Sequence, residues 1–156
     1  MNINEKNVLE ILKKSGWYPN RKVSKPYCIE ALRKKYKTFE KLTSFITEYD
    51  ELVITFDNPK NKSFKSNLII KPIIADSEID TTILKSYEIY TGLKLIPTAI
   101  IYEYSMIICI SEIGSFFGGN DDWLIKLGDN FEEALSNLIN GTMPKAELVD
   151  LLDEDE

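Results

Sequence analysis

Within Met106–Ile110 the residues Ile107, Ile108 and Ile110 form an apolar run that is continuous rather than alternating. Successive side chains on a strand point to opposite faces, so such a strand leaves water only if both faces of its sheet are covered. The chain must therefore lay helices over two sides of one sheet, or leave a side for a partner. Its 156 residues, 44% of them hydrophobic, suffice for one substantial core and are short for two ordinary domains.

The first third reads as helices. Val8, Leu9, Ile11 and Leu12 fall at helical spacing after Asn4, with Gly16 as the stop. A turn around Pro19 follows. Ser24 is placed to cap a second helix, with Pro26 in its first turn and Ile29, Leu32 and Tyr36 along one face. Phe39, Leu42, Phe45, Ile46 and Tyr49 continue the stripe as a third helix or an extension of the second.

The period changes at Leu52–Phe56, rich in β-branched and aromatic residues and closed by Asp57-Asn58-Pro59, which predicts a strand. Lys60 to Ser66 reads as a polar loop with only Phe64 to bury. Leu68 to Ile74 is a second apolar run, in which Pro72 predicts an edge strand or an early end. Asp80 or Thr81 can cap a helix carrying Ile83, Leu84, Tyr87 and Tyr90, stopped by Gly92. Leu93–Ile101, Met106–Ile110, Ser115–Phe117 and Trp123–Leu127 read as strands, with a turn at Glu112-Ile113-Gly114 and a flexible polar loop at Gly118–Asp122. Asp129 with Glu132 resembles a capping box for a last helix whose apolar face is Phe131, Leu135, Leu138 and Ile139, ended by Gly141. The pattern is α+β: N-terminal helices, a largely antiparallel β-sheet, an inserted helix and a C-terminal helix. The domain is expected over 1–146, with 147–156 an acidic tail expected to be disordered.

Residues 1–71 hold 15 Lys and Arg against 8 Asp and Glu, or +7, whereas residues 72–156 hold 4 against 17, or −13. The last ten residues carry six acids and no base, so the net charge of −6 resides there. The absence of histidine excludes Ser-His and Cys-His pairs, His general bases and His-ligated zinc within the chain. Cys28 and Cys109 read as buried thiols and not a disulfide framework. Met1–Glu10 lacks the character of a secretory signal, and the longest apolar stretch, Leu95–Ile113, is interrupted by Pro97, Glu103 and Glu112. A cytoplasmic location without membrane contact is expected, with no cofactor and no metal.

Two sets of residues are candidate partner contacts. Tyr18 and Arg21, beside Trp17, are the residue types that anchor interfaces, and they equally suit a local role behind the first helix. Asp121, Asp122 and Trp123 combine acidic steering with an aromatic anchor, against the alternative of a solvated turn. Their spacing does not match an EF-hand. The acidic tail either mimics nucleic-acid phosphates or solubilises. Arg33-Lys34-Lys35-Tyr36-Lys37 is either a solvated helix face or the basis of nucleic-acid binding.

The segment Leu12-Lys13-Lys14-Ser15-Gly16-Trp17-Tyr18-Pro19-Asn20-Arg21-Lys22-Val23 is similar to the opening pattern of the third family of the SUKH superfamily of bacterial immunity proteins. Gly92–Pro97, the Glu112–Phe117 turn, and Leu127–Leu135 with Leu138 and Gly141 resemble its later parts, so that the likeness spans most of 8–141. Thr98 departs from the pattern, which often has Gly after the matching Pro. The resemblance implies a non-enzymatic protein that binds a cognate polymorphic toxin, often a nuclease encoded beside it, through the toxin's C-terminal domain, occluding its active site or substrate groove. It supplies no catalytic residue. The alternative expectation is a nucleic-acid-binding regulator using the basic N-terminal half. A carboxylate enzyme is weakest, because no acid pair can be assigned separate environments.

Overall fold

Seven strands hydrogen-bond in chain order into one antiparallel sheet: β1 (Val53–Asp57), β2 (Lys65–Ile69), β3 (Leu95–Ile101), β4 (Met106–Ser111), β5 (Phe116–Asn120), β6 (Trp123–Gly128) and β7 (Glu147–Leu148). The helices are α1 (Ile3–Lys14), α2 (Tyr27–Arg33), α3 (Glu40–Tyr49), α4 (Pro72–Ser77), α5 (Thr81–Thr91) and α6 (Phe131–Asn140). The computed structural model describes residues 3–23 and 27–153. The fold is α+β, as the pattern predicts. The Ser24 cap and Pro26 lie outside the described residues.

Every residue of β4 is buried. Met106, Ile108 and Ile110 join a core with Val8, Leu12, Leu42, Phe45, Ile46, Phe131, Leu135 and Leu138, contributed by α1, α3 and α6. Ile107 and Cys109 point the other way, into a second core with Ala75 of α4, Leu84 and Tyr87 of α5, and Val149. The covered two-faced strand is thus observed, with helices on both sides. In the first core the ring of Phe45 packs edge-on against Phe116 and Phe131, at centroid separations of 5.0 and 4.9 Å.

Several local expectations hold. The side chain of Asp80 accepts from the Thr82 N–H at the start of α5, and Gly92, at φ 73°, closes it in the left-handed conformation that glycine adopts without strain. Gly141 does the same for α6.

Others are corrected. Pro72 does not end a strand. It is the first residue of α4, where its missing N–H would have had no partner anyway. The N-cap of α6 is Asn130, whose side chain accepts from Glu133 N at 2.8 Å, while Asp129 pairs instead with Lys126 at 2.7 Å. Phe64 is not buried. Gly118, Gly119 and Asn120 are not loop but the end of β5. A side chain on Gly118 would collide with Met106, its Cβ lying 2.4 Å from the sulfur, so close packing and not flexibility accounts for this glycine. Residues 147–152 are also part of the fold: Glu147 and Leu148 pair with β6, Val149 is buried, its N–H donates to Asp122 O at 2.7 Å, and Leu152 N–H donates to Ser86 Oγ at 2.9 Å. The reason is apolar: Val149 fills the second core beside Leu124 and Tyr87.

Replacing Asn130 by Ala is expected to lower stability by about 1 kcal/mol. Asp129→Ala, losing only an exposed ion pair, should cost no more than about 0.5 kcal/mol. Urea unfolding of both variants checks this, and equal losses would return the cap to Asp129.

Candidate partner-binding site

Two residues beyond α1, Gly16 sits at φ 103°, and the chain then turns back along the C-terminal end of α3. Trp17 Nε1 donates to the Glu48 carboxylate at 2.9 Å. Arg21 donates to Glu48 O at 2.5 Å and to Asp50 O at 2.9 Å. The last carbonyls of a helix have no partner within it, so this guanidinium completes α3, a structural duty. Tyr18 stays exposed. Below Arg21, Cys28 Sγ donates to the buried Asp50 carboxylate at 3.3 Å. Burial first, and the Asp50 charge second, push the Cys28 thiol up to about 12. Burial raises the Asp50 carboxyl and, on β4, the Cys109 thiol as well.

The basic cluster after α2 is partly neutralised. Arg33 pairs with Glu30 at 2.8 Å and Lys35 with Asp76 at 3.1 Å. Tyr36 Oη also donates to Asp76, tying α2 to α4.

Asp121 and Asp122 make a two-residue turn closed by the Asn120–Trp123 pair between β5 and β6. Asp121 sits at φ 48°, a left-handed position that Asp tolerates better than most residues. Both turn carbonyls are held: Tyr87 Oη donates to Asp121 O at 2.8 Å, and the Val149 N–H to Asp122 O. Both side chains are exposed, and among the described residues neither carboxylate is paired with a cation.

Trp123 is half-buried in a groove of about 640 Å³. Four separate stretches line it: the β1–β2 loop with Pro59 and Phe64, Glu103 and Tyr104 running into Met106 of β4, Trp123 and Ile125 of β6, and the segment Gly141–Ala146 after α6. Tyr104 Oη is buried there without a hydrogen-bond partner among the described residues. Leu148 stands directly across from Trp123 on β7 and is 78% exposed; Phe64 is 62% exposed.

The structure thus separates the expected site residues. Arg21 serves the α3 end, which leads into β1, whereas Asp121, Asp122 and Trp123 lie together at the β5–β6 turn, four strands along. A family model described as SUKH-3 immunity protein matches residues 4–141. The chain belongs to the SUKH-3 immunity protein family. No curated protein and no solved structure gives a significant match. The match covers every element that builds the groove except β7 and the segment leading to it. The SUKH-3 identity calls for an immunity role, for which a surface able to hold a partner is needed. Among the described residues no helix is long and apolar enough to cross a membrane, and no three His, Cys, Asp or Glu side chains gather as a metal site requires.

Of the expected contact residues, Asp121 and Asp122 are exposed on one turn with Trp123 half-buried beside them, and sequence reasoning did not bring Phe64 or Leu148 to their neighbourhood. The signal for Leu148 was present, an apolar residue among acids, but nothing local showed that it would pair with Trp123.

With its thiol near 12, Cys28 is thiolate for only about one part in 10⁴ at pH 8. Folded protein is therefore expected to resist iodoacetamide at pH 8 at both cysteines and to take two labels once unfolded, as intact-mass measurement will read.

Proposed function

We propose that this chain is an immunity protein that binds the C-terminal domain of a cognate polymorphic toxin in the cytoplasm of the producing bacterium and occludes its active site or substrate groove, without catalysing any reaction. The family match over residues 4–141 carries the reading. A nuclease is the toxin class that the charge distribution suits. A nuclease presents Lys and Arg to phosphates, and the C-terminal half here carries the opposite sign, which favours encounter with such a surface. Asp121, Asp122 and Trp123 are the residues assigned to contact, because the first two project unpaired charge from a fixed turn and the third offers an aromatic surface beside them. Arg21 is not assigned, being committed to α3.

The expected outcome is co-purification with the toxin domain encoded beside this gene, and complete inhibition of that domain at one equivalent. The association rate should fall by about 10-fold or more between 50 mM and 500 mM salt. An adjacent product that neither binds nor is inhibited sinks the reading.

A further inference from the structure

We infer that the groove at Trp123 is the receptacle for an apolar side chain of the toxin that is flanked by Lys or Arg. This rests on the immunity reading and says where and how the partner is held.

The first argument is the exposure of large apolar groups at one place. Phe64 on one wall and Leu148 across from Trp123 are among the more exposed large apolar side chains of the described chain, and Met106, Ile125 and Met143 line the same hollow. An apolar hollow with apolar edges gains by covering, and such patches mark interaction sites.

The second argument is the contrast between the two tryptophans. Trp17 gives its indole N–H to Glu48, whereas that of Trp123 has no partner among the described residues. Tryptophan at an interface commonly supplies its rings for burial and its N–H for one hydrogen bond. A backbone carbonyl of an inserted segment would accept it.

The third argument is charge. Of the charged residues lining the groove, Lys60 and Glu103 offset one another, while at its Trp123 end Asp121 and Asp122 directly precede the tryptophan with carboxylates that no described cation pairs. That end is therefore acidic, so the apolar group that enters beside Trp123 should come with basic neighbours. The turn is already fixed through Tyr87 and Val149, and Pro59 and Pro144 stiffen the walls. Little ordering is left for binding to oppose, which favours affinity.

Phe64→Asp with Leu148→Asp changes only well-exposed positions and should leave the circular dichroism spectrum and the unfolding midpoint in place. The double variant is expected to bind the adjacent toxin domain at least about 30-fold more weakly by calorimetry, the loss typical of a central anchor site. Asp121→Lys with Asp122→Lys is expected to slow association by about 10-fold at low salt and to flatten its salt dependence. Ile89→Asp, at an exposed position on α5 away from the groove, should bind as the natural chain does. If the natural chain binds and inhibits while the Phe64/Leu148 variant stays within about 2-fold of it, the groove is not the receptacle and the immunity reading survives. If the natural chain itself neither binds nor inhibits, both fall. Self-association of the chain alone, abolished by the Phe64/Leu148 variant, would give the groove to a second copy and overturn the assignment to the toxin.

Discussion

Burial of β4 on both faces is the constraint around which the other elements are arranged. Each of its large apolar side chains is worth roughly 1.5–3 kcal/mol when removed from water, and alternate residues deliver that gain to opposite sides. One side receives α1, α3 and α6, of which α3 and α6 bring Phe45 and Phe131 onto Phe116 of β5. Of the described helices, the other receives α4, of six residues, and α5. That thinner cover leaves room beside Leu124, and Val149 enters it. The C-terminal segment is therefore drawn onto the sheet by an apolar vacancy, despite its acidic composition.

What could be read from the sequence follows from how local the physics is. The ends of α5 depend on Asp80 and Gly92 alone, each acting within a turn of its own position, and both were legible. Pro72 was ambiguous because the same fixed φ serves a strand edge and a helix start, and only the coverage needed beside β3 decides between them. Gly118 and Gly119 read as flexibility because glycine is a common loop residue, yet here each is required by a neighbour distant in sequence, Met106 for Gly118 and Tyr87 for Gly119, with the Trp123 carbonyl across the hairpin also close to Gly119. Val149 was hidden by its surroundings, since six acids in ten residues outweigh one valine in any composition argument.

The candidate site divides in the same way. Acidic residues beside an aromatic at Asp121–Trp123 form a local pattern, legible in sequence as an exposed turn. The groove joins residues near positions 60, 104, 123 and 143, and no window of sequence contains it. Trp17 and Trp123 differ in what their indoles meet. Their difference is made by Glu48, which meets the first indole and thereby commits it to the fold, while nothing among the described residues meets the second.

Fold and site are joined at Gly119. A Cβ there would lie 2.9 Å from both the Tyr87 hydroxyl and the Trp123 carbonyl, so the glycine is the condition for Tyr87 to reach past β5 and donate to Asp121. Burial above all, with the neighbouring acids Asp121 and Asp122 adding to it, raises the Tyr87 pKa, so the phenol keeps its proton and remains a donor throughout the neutral and mildly alkaline range. Val149, seated in the second core, holds the next carbonyl of the same turn. The two carboxylates are thus presented by a turn whose backbone is fixed from the interior. The burial that stabilises the second face of the sheet also fixes the direction in which the acidic turn projects from it.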